Sequence, residues 1–139
     1  MTTNPDCVFC RIVAGTIPCF KLYEDEATVA FMDINPVHDG HCLVIPKAHY
    51  PTVFDLPAEA FAAAGHTAIR IATAAEAALA PDGLNLLQAN GPGAAQSVAH
   101  FHLHILPRRM NDALAMNWTP TPGDRARIAA VAERIRARL

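Results

Sequence analysis

Three histidines stand at alternate positions, His100, His102 and His104, in the run Gln96-Ser97-Val98-Ala99-His100-Phe101-His102-Leu103-His104-Ile105-Leu106-Pro107-Arg108. On a β-strand successive side chains point to opposite faces. One face would then carry all three imidazoles, and the other Phe101, Leu103 and Ile105. Imidazole titrates near neutrality and serves as nucleophile, proton carrier or metal ligand. An attacking imidazole needs a lone pair on one nitrogen, with the other nitrogen fixed by a hydrogen bond it donates. Attack at phosphorus also needs donors aimed at the phosphoryl oxygens. Just upstream, Asn90-Gly91-Pro92-Gly93-Ala94-Ala95 is a loop whose small residues let backbone amides approach an anion. Gln96 and Ser97 add side-chain donors. Taken alone, the loop reads equally well as a tight turn.

A second constellation lies near the N-terminus. Cys7 and Cys10 form Cys-x-x-Cys, a spacing at which two thiolates can share one tetrahedral Zn²⁺. The same pair could be a redox couple or two buried thiols, although no βαβ context of the thioredoxin kind follows it. Cys19 and Cys42 lack such partners and read as core residues.

The elements that must position these groups follow from periodicity. Cys7 to Ala14 is apolar and ends at Gly15, which suggests a short helix. Phe20, Leu22 and Tyr23 suggest a strand. Thr28 to Met32 is the returning strand after a charged turn, and His41 to Ile45 is a third, closed by Pro46. Asn35-Pro36 and Asp39-Gly40 place a loop over 33–40. Pro57 to Ala80 carries Phe61, Ala64, Ala68, Ile71, Ala75 and Leu79 on one helical face. Proline suits its first turn. Gly83 to Asn90 is a strand, and the histidine strand follows. Residues 109–122 read as irregular, and Asp124 to Leu139 as an amphipathic helix on Ile128, Val131 and Ile135. This order implies an α+β domain with a five-stranded antiparallel sheet.

The chain has 139 residues, enough for one domain with a real core. Residues 109–139 form a loop-and-helix extension of it. A hydrophobic share of 52% argues against disorder. A net charge of −2 leaves no general electrostatic footprint for nucleic acid or an anionic membrane. No apolar run reaches spanning length and the N-terminus has no signal-like segment, so a cytoplasmic protein with reduced thiols is expected.

The His-x-His-x-His run, with Gln96-Ser97-Val98 before it and Pro107-Arg108 after it, resembles the histidine triad family of nucleotide hydrolases and transferases. The resemblance covers about residues 7 to 108 and implies that family's fold. It implies that His102 attacks the α-phosphate of a purine nucleotide substrate, forming a transient nucleotidyl-histidine that water hydrolyses. Candidate substrates are an adenosine phosphoramidate, an aminoacyl adenylate or a dinucleoside polyphosphate. His104 would face the phosphate and leaving group, and Ser97, Gln96 and Asn90 map onto phosphate-side positions. Phe31-Met32-Asp33-Ile34-Asn35-Pro36 resembles the ribose-binding segment, with Asp33 on the ribose hydroxyls. Without the resemblance Asp33 would be a cap. Phe9, Ile12 and Phe31 match base-sandwiching positions, and His41 would support the catalytic histidine from behind. In one branch of the family, Cys-x-x-Cys joins a histidine after Ile-Pro-Lys and the first triad histidine around a structural zinc. Here those residues are Cys7, Cys10, His49 and His100.

Two departures stand out: Ala94-Ala95 replaces the frequent glycine, and Pro92 removes an amide donor. The tail, with Trp118, lies outside the resemblance. It would border the leaving group or pack on a partner subunit, since a two-fold homodimer is expected from the family. Two other functions remain open to the sequence. One is a metal-dependent hydrolase with His102 and His104 on a catalytic ion. The other is a nucleotide-binding interaction protein whose hydrolysis is incidental.

Overall fold

The structure is a computed structural model that describes residues 1–116 and 119–139. The expectation for Trp118 lies outside the described residues. Helix α1 spans Val8–Val13. Strands β1 (Lys21–Glu24), β2 (Thr28–Met32) and β3 (Cys42–Pro46) precede the long helix α2 (Ala58–Leu79). Strand β4 (Gly83–Gln88), a 3₁₀ turn at Pro92–Ala94, strand β5 (Leu103–Arg108) and helix α3 (Arg125–Arg136) complete the chain. The sheet order is β1-β2-β3-β5-β4, antiparallel at every pairing. The expected α+β architecture with five antiparallel strands is thus present.

The central strands are covered on both faces, so β3 is buried along its whole length and β2 along all but its last residue. Such strands read as continuous apolar runs, without alternation. On one face Ala30, Val44, Phe101, Leu103 and Ile105 pack under Ala64, Ala68 and Ile71 of α2. Alanine lets that helix lie close to the sheet, and one polar contact, Thr28 Oγ1 to Thr67 Oγ1 at 2.7 Å, is buried between them. On the other face Val29, Phe31, Leu43 and Ile45 pack against Cys7, Phe9 and Cys10 of the α1 region. The site lies on this second face.

Several boundaries differ from the sequence reading. Pro57 is the N-cap of α2 and does not enter its first turn, and Ala80 ends the helix in the left-handed region at φ 43°. Arg109 then satisfies the terminal carbonyls of Leu79 and Ala80 at 2.5 Å each, a cationic cap at the negative end of the helix dipole. Phe61 and Leu79, placed on the buried face by period, are exposed. The β5 strand opens at Leu103, so only His104 of the three histidines lies in it. His100 N–H bonds back to Val98 at 2.8 Å and Phe101 N–H to Tyr50 at 2.6 Å. The lead-in is therefore a bend tied to the loop before α2. The two-sided partition survives the correction: Phe101, Leu103 and Ile105 go under α2 and the imidazoles face α1.

Candidate active site

The buried polar face of the sheet holds four imidazoles in sequence: His100, His102, His104 and His41. His102 Nδ1 lies 2.6 Å from the carbonyl oxygen of His100. A carbonyl only accepts, so Nδ1 carries the proton and Nε2 keeps its lone pair. Phe9 sets its ring edge-on to His102 at 5.3 Å between centroids, and His104 stands 4.8 Å away on the other side.

A second tautomer follows by the same reasoning. The amide of Val37 donates to His41 Nδ1 at 3.1 Å, so the ring proton of His41 sits on Nε2. That nitrogen lies 2.8 Å from His104 Nδ1 and 3.4 Å from Asp33 Oδ2. His41 therefore donates to His104, whose own proton is left on Nε2. Burial lowers the pKa of His102 and brings that of His104 to about 4; burial also lowers that of His41 against the opposing pull of Asp33. The neutral forms required by these hydrogen bonds are thus the forms that burial favours.

His102 and His104 open into a cleft of about 330 Å³. Phe9, Ile12, Phe31 and Asp33 lie on its walls, as expected, and Ser97 stands at its edge. Asp33 turns its other oxygen, Oδ1, onto the Asn35 amide at 2.8 Å. Val8, Ile17, Pro18, Leu43 and Val98 also line the cleft and were missed. Their only sequence signal was an apolar residue type shared with any core position. Cys19, read as core, is half-buried on the same wall, whereas Cys42 is buried and its thiol is pushed up to about 11.

Gln96 and Asn90 are placed differently. Neither lines the cleft. Gln96 Oε1 accepts from the Gly91 amide at 2.8 Å, and its Nε2 donates to Pro51 and Val98 carbonyls at 2.6 and 3.0 Å. Asn90 Oδ1 accepts from the Val53 amide at 2.7 Å, and its Nδ2 donates to Gln88 at 2.5 Å. The backbone of the loop is also engaged. The amides of Gly91, Ala94, Ala95 and Gln96 donate within the loop itself, so an anion cradle built from these four is not present. Pro92 sits at the first position of the 3₁₀ turn, where its missing donor costs nothing.

A separate cluster brings together Cys7, Cys10, His49 and His100, whose ligand atoms all lie within 4.8 Å of one another. His100 Nε2 donates to the Pro46 carbonyl at 2.8 Å, which leaves Nδ1 facing the cluster. His100 Nδ1 is 3.3 Å from His49 Nδ1, 3.5 Å from Cys7 Sγ and 3.7 Å from Cys10 Sγ; Cys10 Sγ is 3.3 Å from His49 Nδ1. A tetrahedron with Zn–N about 2.05 Å and Zn–S about 2.3 Å has N–N edges of about 3.4 Å and N–S edges of about 3.6 Å. The donor set and its edges fit a zinc ion. Burial pushes the Cys10 thiol up, a bias against charged thiolate that a bound cation would reverse, and brings His100 down to about 4, which keeps the imidazole in the neutral form a metal ligand needs.

Residues 14–111 match the HIT domain family. A protein of Arabidopsis thaliana named adenylylsulfatase HINT3 is 44% identical over 113 residues, 81% of this chain and 57% of its own length. This chain therefore spans little more than half of that relative. The adenosine 5′-monophosphoramidase hnt1 of Schizosaccharomyces pombe is 37% identical over 134 residues, 96% of this chain and 98% of that protein. A zinc-bound histidine triad family protein from Mycobacterium smegmatis superposes with a TM-score of 0.75 at 41% identity, covering 95% of this chain and 97% of that one.

Proposed function

Since the chain belongs to the histidine triad (HIT) family, we propose that it is a nucleotide hydrolase acting on adenosine monophosphate derivatives through a covalent nucleotidyl-histidine on His102. The observation that carries this reading is the His102 Nε2 lone pair at the cleft, set by the Nδ1–H bond to the His100 carbonyl. In the first step Nε2 bonds to the α-phosphorus and the bond to the leaving group breaks, its electron pair departing with sulfate or phosphate, or with an amine that takes up a proton from solvent as it leaves. In the second, water attacks phosphorus and gives up one proton to solvent, the N–P bond breaks with its electron pair returning to Nε2, and the nucleoside monophosphate leaves with His102 neutral again. His104 Nε2–H is the donor for the phosphoryl oxygens or the leaving group, and Ser97 is a second. Asp33 takes the ribose hydroxyls, and Phe9, Ile12 and Phe31 hold the base. Gln96 and Asn90 act one step removed, by fixing the loop that carries Ser97.

Adenosine phosphoramidate is the first substrate to test, because a monophosphoramidase matches nearly the whole chain. Intact-protein mass measured during turnover should show a transient adduct of one nucleotidyl group, chelator-resistant and absent from His102→Ala. Turnover by His102→Ala at the wild-type rate would refute the assigned nucleophile. Binding without turnover in the wild type would favour the nucleotide-binding interaction protein.

The metal-dependent hydrolase is disfavoured by the same hydrogen bonds. Asp33, His41 and His104 converge, but a metal on His41 Nε2 would move its proton to Nδ1, against the Val37 amide. His102 is not among the groups that converge there.

Zinc belongs to the other cluster. Cys7, Cys10, His49 and His100 would hold it, and all four positions taken by protein make it structural. When bound it supplies a tie between the α1 region and the sheet. A homodimer is supported by the uncovered apolar side chains Ile69 of α2 and Leu86 of edge strand β4, exposed by 64% and 53%. Among the described residues no helix is long and apolar enough to cross a membrane.

A further inference from the structure

The tail following β5 is tied to the loop that carries the active-site support. Arg108 and Asp112 form a two-point ion pair, Nε to Oδ2 and Nη2 to Oδ1, each at 2.7 Å. Arg108 is further fixed by Asn85 Oδ1 at 2.7 Å and the Leu114 carbonyl at 2.8 Å. The amides of Arg109 and Leu114 also donate to Asp112, at 3.1 and 3.2 Å. This carboxylate is thus rigidly aimed. What it faces is His38, whose Nε2 is shut off from solvent and lies 3.1 Å from Asp112 Oδ2, a close contact short of an aligned hydrogen bond, with no hydrogen-bond partner among the described residues.

His38 stands in the middle of the segment between Asp33 and His41. Its carbonyl accepts from the His41 amide at 3.2 Å. Its neighbour Val37 supplies the amide that fixes His41 Nδ1 as an acceptor. The segment has one face on the imidazole relay and the other on the tail. Gly40 seats it closely: at φ +88°, a Cβ there would meet the side chains of Leu79 and Pro107. A displaced His38 would move Val37, and with it the group that chooses which nitrogen of His41 carries the proton.

We propose that Asp112 is a positioning residue for the hydrolysis: through His38 it fixes the 33–41 loop so that the Val37 amide selects the tautomer of His41 and, through it, that of His104. Asp112 lies one residue beyond the stretch matched by the family. The tail therefore contributes to catalysis without touching substrate. The catalytic part of the inference rests on the nucleotide-hydrolase reading; the tautomer part does not.

The test uses the full chain with ¹⁵N-labelled histidine, compared with Asp112→Asn and His38→Gln. Asp112→Asn keeps one acceptor oxygen, enough for one of the Arg109 and Leu114 amides, which donate to different oxygens of Asp112. His38→Gln leaves the Arg108–Asp112 pair intact, so at least one variant keeps the tail in place. Wild-type ring-nitrogen shifts should report unprotonated Nδ1 and protonated Nε2 for His41. In the variants the two nitrogens should move toward a common value. The kcat should fall about tenfold with KM unchanged, a fraction of the ~10² that proton-transfer groups typically contribute. The double variant should be no worse than the more damaged single one. Unchanged His41 shifts, or a lowered melting temperature with unchanged kcat, would overturn the proposal. A wild type that turns over no adenosine phosphoramidate would instead count against the function, while the ring shifts would still decide the tautomer claim.

Discussion

Each imidazole in this site has its protonation set by one neighbour that can only donate or only accept. The His100 carbonyl leaves His102 with a nucleophilic Nε2, and the Val37 amide, through His41, leaves His104 with a donor Nε2–H. His102→Ala should lower kcat/KM by at least about 10²-fold with nucleotide affinity nearly unchanged, checked by turnover and calorimetric titration. The sign of the pH effect follows from burial. His104 has its folded pKa lowered to about 4 from an ordinary 6.5, so the unfolded chain binds the proton first as pH falls. Its contribution to stability is complete above about 6.5 and is lost as pH drops toward 4. The melting temperature should therefore fall as the pH drops across that window. A melting temperature rising on acidification would contradict the buried neutral assignment. The residue types at 100, 102 and 104 were legible in the sequence because imidazoles at every second position are chemically conspicuous. The tautomers were not, because they depend on Val37 and on a carbonyl, neither of which carries a sequence signal.

Helix α1 serves two sites at once. Cys7 before it and Cys10 within it face the four-ligand cluster, while Val8, Phe9 and Ile12 line the cleft. Removing a ligand should loosen both. Cys10→Ala is expected to lose bound zinc, measured by elemental analysis, and to lower the melting temperature, with KM rising more than kcat falls. Unchanged metal content would remove the zinc assignment. The 33–41 loop is constrained from outside by Gly40, so Gly40→Ala should destabilise the fold by about 1–3 kcal/mol in urea unfolding, from left-handed strain and contact with Leu79 and Pro107. The Gly91-to-Ala95 loop is a useful contrast. Its composition suggested amides presented to phosphate, yet most of them close the loop on itself, helped by Gln96. Small residues permit a cradle and a self-closed turn alike, and only the surrounding contacts to Pro51 and Val53 choose between them.

At the scale of the molecule, helix α3 contributes no buried residue and leaves Ile128, Val131 and Ile135 exposed, as are Ile69 and Leu86 elsewhere. In the proposed homodimer Ile69 and Leu86 are covered, so Ile69→Glu with Leu86→Glu should halve the mass seen by light scattering. A wild type that is already monomeric would refute the dimer. By itself the sequence determined the α+β class, the antiparallel strands, the long helix and the identity of the chemical groups, because period, turn residues and residue type are local properties. It also named the four zinc-fitting residues by resemblance, although Cys7 and Cys10 are far in sequence from His49 and His100. The tertiary structure alone decided that β5 begins after His102, that Cys19 walls the cleft, that Gln96 and Asn90 brace a loop, and that Asp112 reaches His38. Each of these turns on which donor meets which acceptor across segments distant in the chain, and hydrogen-bond satisfaction of buried groups is settled only when the whole chain has packed.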